Sequence, residues 1–359
     1  MFEIGSEFWS QEYACGSGIE EFLPSSFHIN YTLCGRTALD IVIEDCLREI
    51  ACKSVYMPSY CCHTMIDPFV KHGIKVVFYD VVADNKGITA LYEDNSCDIV
   101  FLIDYFGFIQ QETLQFAKVE KAKGKIIIYD STQSFFCDFD KESYFDYVFG
   151  SFKKWFGVNA GFAAKKNEWS FFPKLVQNDC FISLRNTAFK LKSDYIKNPD
   201  GFDKSVFLTL FSEAERLLES DYKYYGPDEQ SLRLLSSIEV SELRSRRKRN
   251  ASVLINRLLG EQGIRVLCSD VMDNECPLFV PICVEGCRDD LKNYLIQKRI
   301  YLPVHWPVSG LHSLSANSSY LYGTELSCVC DQRYSVSDME AIGGAIDAFY
   351  AETKRGYSL

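Results

Sequence analysis

The chain is poor in positive charge: 38 lysines and arginines stand against 49 aspartates and glutamates, for a formal net charge of -11. No basic surface dominates, which argues against broad binding of nucleic acid or of an anionic membrane. A local anion pocket stays open, because net charge does not set local potential. Long apolar runs are missing too, and none reaches the length of a membrane span. The stretch MFEIGSEFW lacks the basic region and apolar run of a secretion signal. The expectation is a cytoplasmic protein whose 15 cysteines are free thiols. Those cysteines lack the paired spacing of a zinc framework, and Cys61, Cys62 and His63 have no second pair, so no metal site is expected. No internal repeat or low-complexity tract is visible.

What is present is ordinary for a globular protein: 47% apolar and 24% charged residues exclude wholesale disorder. At 359 residues the chain exceeds what one hydrophobic core usually supports, so two domains are expected. Residues 1–30 carry the aromatic anchors Phe8, Trp9, Tyr13, Phe22 and Phe27 and read as a segment that covers the domain or reaches a partner subunit. Residues 31–230 read as a large domain with its connecting helices, and 231–359 as a smaller α/β domain.

Within the large domain, apolar strands alternate with amphipathic helices. SVYMPSY, KVVFYDV, the run from Cys97 to Gly107, KIIIYD, YVFGSF and GFAAK are the strands. Helices follow Gly35, span Met65 to His72, and run from about Glu112 to Lys123. This alternation predicts a mainly parallel mixed sheet flanked by helices. Ligands in such sheets gather at the carboxyl ends of strands. Ser59, Tyr60, Asp104, Tyr105, Asp130 and Gln133 all fall there. Trp169 to Pro227 turns helical and polar and reads as the connection between domains. LRSRRKRN, from Leu243 to Asn250, reads as a solvated helix face. In the last domain CPLFVPICV is a strand, DDLKNYLIQKRI a helix and YLPVHWP a strand or edge segment. VSDMEAIGGAIDAFY is the final helix, capped by Ser335 or Ser337.

The chemistry centres on DYVFGSFKKWFGVNAG, Asp146 to Gly161. Taken alone, Lys153 and Lys154 would face solvent on a turn. Three other features change that reading. The helix start Gly35-Arg36-Thr37-Ala38 offers backbone N–H groups and the Thr37 hydroxyl to a phosphate, and Ser151 offers another donor. Asp130, at a strand end, suits a cationic ring nitrogen. A lysine at 153 or 154, in a partly dry site, can attack an aldehyde. Phosphate, ring nitrogen and aldehyde are the three handles of pyridoxal phosphate.

With those motifs the chain resembles the fold-type-I pyridoxal-phosphate enzymes, and within them the DegT/DnrJ/EryC1/StrS group of sugar aminotransferases. The resemblance runs from CGRTAL through MPSY, DYFG, YDSTQS and SFKKWFGVNAG to the small domain. It implies a large cofactor-binding domain plus a smaller C-terminal α/β domain. It also implies that Gly35, Arg36 and Thr37 meet the cofactor phosphate, Asp130 the ring nitrogen and Gln133 the ring oxygen. Ser151 then binds phosphate, and Lys154 holds the aldehyde as a Schiff base, with Lys153 as a basic phosphate neighbour. Two departures stand out. The spacing from Ser151 to the lysines is shortened, and the position where an aromatic ring stacks on the cofactor falls on Cys62. Tyr60 or His63 would then cover the ring from a shifted position, or serve packing alone.

For Arg333, in DQRYS, the resemblance implies a clamp on a substrate carboxylate, against the alternative of a structural salt bridge. His305, in PVHWP, lies in a segment like one near the family's active-site mouth, against the alternative of a plain edge segment. The implied reaction moves an amino group from an amino acid, glutamate by family likeness, to a keto-sugar, nucleotide-linked in the resembled group. The arginines between Arg244 and Arg249 would serve the nucleotide only if they face the pocket. A homodimer is implied. A lyase, a dehydratase, a small-molecule transaminase and a non-catalytic protein of the same fold are the alternatives.

Overall fold

The computed structural model describes residues 3–84 and 87–356. Strand β1 (Ile4–Gly5) comes first, followed by β2 (His28–Thr32), β3 (Ser54–Pro58), β4 (Lys75–Asp84), β5 (Gly87–Leu91), β6 (Ile99–Ile103), β7 (Ile126–Asp130), β8 (Tyr147–Ser151) and β9 (Gly161–Lys165). Strands β2 to β9 form one eight-stranded sheet in the order β2-β9-β8-β7-β6-β3-β4-β5. The central run β8-β7-β6-β3-β4 is parallel, and antiparallel strands complete both edges. Every residue of β6 is buried, as a strand covered on both faces requires.

Helices α1 (Gly35–Glu49), α2 (His63–Lys71) and α3 (Gln111–Ala122) cross between these strands. The apolar stripe of α1, including Ala38, Leu39, Val42, Ile43 and Cys46, packs with Val55, Ile99, Phe101 and Phe149 of the sheet. The opposite face is covered by an aromatic cluster that includes Phe135, Phe136, Phe152, Trp155 and Phe162. The long run from Cys97 to Gly107 holds only five strand residues because acids stop it at both ends. Asp98 accepts the backbone N–H groups of Lys53 and Ser54, and Asp104 accepts that of Gln110. The carboxylates thus turn the chain out of the ladder.

Helices α4 (Asp179–Lys197), α5 (Lys204–Ser220), α6 (Glu229–Leu235) and α7 (Val240–Leu258) follow. Strands β10 (Ile264–Val266) and β11 (Phe279–Val284) come next, then α8 (Arg288–Gln297), β12 (Ile300–Tyr301), α9 (Ala316–Thr324), β13 (Glu325–Val329) and α10 (Val336–Gly356). β10, β11 and β13 make an antiparallel sheet whose core is shared with α7, α8 and α10. YLPVHWP contributes only one strand residue, Tyr301, which with Ile300 forms β12 and pairs with β1. Pro303 and Pro307 have no N–H to extend a ladder.

The N-terminal segment therefore serves both halves. Ile4 joins the core around β10, β11 and β13, while Ile19, Leu23 and Phe27 join the aromatic core beside the large sheet. Ser335 ends the loop before α10, and its backbone N–H and hydroxyl both donate to Asp338. Among the described residues no helix is long and apolar enough to cross a membrane.

Candidate active site

A cavity of about 730 Å³ opens between the two sheets. Its floor is built from the carboxyl ends of β7 and β8, where Asp130, Thr132, Gln133, Ser151, Lys153 and Lys154 line it. Gly35 and Arg36 at the start of α1 form one corner.

That corner is crowded for a physical reason. A Cβ on Gly35 would sit 3.2 Å from Ser151 Cβ, and one on Gly161 would lie 2.7 Å from the Gly150 oxygen and 2.9 Å from the Gly35 nitrogen. Three glycines let β8, β9 and α1 converge. The N-cap residue Cys34 makes no side-chain cap bond, so the first amides of α1 point toward the corner uncapped. Uncapped amides and the helix dipole favour an anion there. Arg36 adds a half-buried cation beside the Tyr222 ring. Thr37 departs from the expected phosphate contact. It is fully buried, it does not line the cavity, and its hydroxyl donates to the Tyr222 carbonyl at 2.6 Å.

Asp130 is 1% exposed, and its Oδ1 accepts the Thr132 N–H at 2.8 Å. Burial pushes its pKa up from 3.8 to about 6, with the Thr132 bonds opposing. No cationic side chain pairs with it among the described residues, so a carboxylate in this wall is short of a positive partner. Gln133 is also buried, and its Oε1 accepts the Phe106 N–H at 2.7 Å.

The two lysines part company. Lys153 Nζ is 2.7 Å from Glu215 Oε1 of α5. Burial and the neighbouring Arg185 push the Lys153 pKa down, and Glu215 opposes them. Burial raises the Glu215 carboxyl, but Lys153 and Arg185 outweigh it and hold it at about 2. Lys154 is exposed to the cavity and has no hydrogen-bond or ion-pair partner among the described residues.

Across the cavity lies His305, whose Nδ1 is 3.0 Å from the Ser327 hydroxyl. Burial, with Lys154 nearby, lowers its pKa to about 3, so the ring is neutral at physiological pH. Tyr60 does not reach the cavity. It is fully buried, with its hydroxyl donating to the His305 carbonyl at 2.9 Å. The wall on that side is made instead by Cys62, Thr64 and Met65, and the Thr64 hydroxyl donates to Cys62 Sγ at 3.1 Å. His63 is not among the lining residues.

Arg333 lines the cavity, but its guanidinium is spent. Nε and Nη2 each meet Asp331 at 2.8 Å. The remaining N–H groups go to the carbonyls of Ser6 and Glu7. This is the structural salt bridge, and it seats the N-terminal segment over the cavity. The basic run in α7 also departs from a solvated face, because Arg247 is fully buried and lines the cavity. Glu7, Glu215 and Lys292 line it as well. None of these three stands in a motif. Only the fold brings them together.

The donor set fits pyridoxal phosphate: uncapped helix amides with a crowded glycine corner for the phosphate, a buried unpaired carboxylate for the ring nitrogen, and an unpartnered amine for the aldehyde. No protein-family model matches the sequence, and no curated protein matches it. Solved structures do. Helicobacter pylori PseC, an aminotransferase involved in pseudoaminic acid biosynthesis, is 12% identical, with a TM-score of 0.66 over 98% of this chain and 100% of that one. A DegT DnrJ EryC1 StrS aminotransferase from Brucella abortus is 18% identical, with a TM-score of 0.59 over 94% and 91%. Escherichia coli GDP-4-keto-6-deoxy-D-mannose-3-dehydratase, solved with hydrated PLP, is 13% identical, with a TM-score of 0.64 over 96% and 99%. The chain shares the fold of these structures: a large mixed sheet flanked by helices, with a smaller C-terminal α/β part.

Proposed function

We propose that this protein is a pyridoxal-phosphate-dependent aminotransferase that takes the amino group of an amino acid, glutamate by family likeness, and delivers it to a keto-sugar, nucleotide-linked in the resembled group. One observation carries the reading: Lys154, an amine with no hydrogen-bond or ion-pair partner among the described residues, shares a cavity with a buried strand-end carboxylate that no described cation pairs with. Bound pyridoxal phosphate would supply an aldehyde to carry the amino group and a cationic ring to accept negative charge.

The chain's own residues supply the rest. The amides at the start of α1, with Arg36 and Ser151, hold the phosphate. Asp130 keeps the ring nitrogen protonated, which also relieves the cost of its own buried charge. With the cofactor bound, Lys154 Nζ would hold its aldehyde and, as a free amine, would act as the base that takes the proton from the donor's alpha carbon. Lys153 does not compete for this role, since Glu215 holds it. His305, being neutral, orients groups at the mouth without acting as an acid near neutral pH.

The test is an absorbance spectrum of the protein mixed with pyridoxal phosphate. A visible band that survives Lys153→Ala and is lost in Lys154→Ala supports the reading, and the reverse pattern overturns the choice of lysine. Incubation with glutamate should bleach that band and form 2-oxoglutarate. The E. coli structure of the same fold is a dehydratase. Bleaching without 2-oxoglutarate would therefore exclude transamination from glutamate.

A further inference from the structure

Outside the cavity, three metal-ligating side chains meet where α1 packs on α2. Asp40 and Glu44 lie four residues apart on α1 and so share one face of that helix. His72 caps the carboxyl end of α2 and brings its ring to the same place. His72 Nε2 is 3.0 Å from Asp40 Oδ1, and one ligand atom from each of the three residues lies within 4.8 Å of the others.

The Asp40 side chain is 1% exposed, and a carboxylate buried that deeply needs partners on both oxygens. Oδ1 has the His72 ring. Oδ2 accepts no hydrogen bond among the described residues. Lys223 Nζ stands 3.1 Å from Oδ2 and 3.5 Å from Glu44 Oε1, and it meets Oδ2 by charge without the alignment of a hydrogen bond. The Lys223 side chain is 40% exposed, and a pair with so exposed a lysine contributes little. Lys71, on α2, is engaged by Asp67. Two acids therefore share one loosely held cation. Glu44 is oriented by the Tyr224 hydroxyl, 2.8 Å from each of its oxygens.

We propose that Asp40, Glu44 and His72 bind a divalent transition-metal cation, which displaces Lys223 into solvent. Carboxylates suit Mn²⁺ and an imidazole suits Zn²⁺, so the mixed set takes either, with water completing the coordination. The metal gives Asp40 Oδ2 the partner it lacks. It also ties α1, whose residues Gly35, Arg36 and Leu39 line the cavity, to the end of α2. The site uses no cysteine and none of the residues assigned to the cofactor, so it stands or falls apart from the aminotransferase reading.

The probe is Mn²⁺, which thiols bind poorly, so the free cysteines do not compete for it. Titrated into the protein, it should lose its free-ion paramagnetic resonance signal up to one ion per chain. His72→Gln should bind at least about ten-fold more weakly, since even groups that only orient a metal ligand are worth that much. That variant keeps every acid, so unspecific attraction to a chain of net charge -11 would leave it equal to the wild type. Lys223→Met should bind about two- to five-fold more tightly, the worth of the exposed ion pair that the metal breaks. No saturable binding by the wild type overturns the proposal, and so does equal affinity in wild type and His72→Gln. Should His72→Gln fail to fold, Lys223→Met decides: tighter binding supports the site, and unchanged or weaker binding overturns it.

Discussion

Replacing Asp130 by asparagine should stabilise the cofactor-free protein and weaken its hold on the cofactor. Burial raises the Asp130 pKa from 3.8 to about 6. At about 1.4 kcal/mol for each pH unit between the two values, the ionised side chain costs the fold about 3 kcal/mol. A carboxyl with a raised pKa holds its proton more tightly in the folded state. Unfolding then releases a proton within that interval, and stability falls as pH rises from 3.8 through about 6. Asparagine keeps the oxygen that accepts the Thr132 N–H and carries no charge. Urea unfolding of the two cofactor-free proteins should show the variant ahead by up to about 3 kcal/mol near pH 8, and level with the wild type near pH 4. With pyridoxal phosphate present the ranking should reverse, because a cationic ring nitrogen stabilises the carboxylate and not the amide. A difference that is the same at both pH values would refute the account, since no titration would then underlie it.

Two further outcomes follow from packing. Gly161→Ala drives a methyl to within 3 Å of backbone atoms of Cys34, Gly35 and Gly150. It should cost about 1–3 kcal/mol in urea unfolding and weaken pyridoxal phosphate binding in equilibrium dialysis, whereas unchanged affinity would move the phosphate away from this corner. Arg333→Gln leaves Asp331 buried without its partner, at a cost of about 3–5 kcal/mol. It should also release Ser6 and Glu7, seen as faster protease cutting at the N-terminus, and an unchanged cutting rate would mean that the segment is seated without Arg333.

Periodicity and strand-end position made much of the molecule legible from its residues. The parallel sheet, the helix after Gly35 and the placement of Asp130 and Ser151 at strand ends all follow from local patterns of apolar residues and their punctuation. Such patterns act over a few residues, and so they can be read without the fold. Long-range pairing could not be. Which lysine keeps a free amine depends on Glu215, 62 residues from Lys153, reaching back to hold it. The Thr37 hydroxyl is taken by the Tyr222 carbonyl, 185 residues away, and Tyr60 by the carbonyl of His305, 245 residues away. The Arg333 fork is filled by a near neighbour, Asp331, and by carbonyls of the N-terminal segment. The burial of Arg247 was hidden because a basic run on a helix looks solvated until distant residues, here Trp155, Pro277 and Gln332, pack on it. Charge and hydrogen-bonding groups take their meaning from whatever lies opposite them, and only the tertiary structure decides what that is.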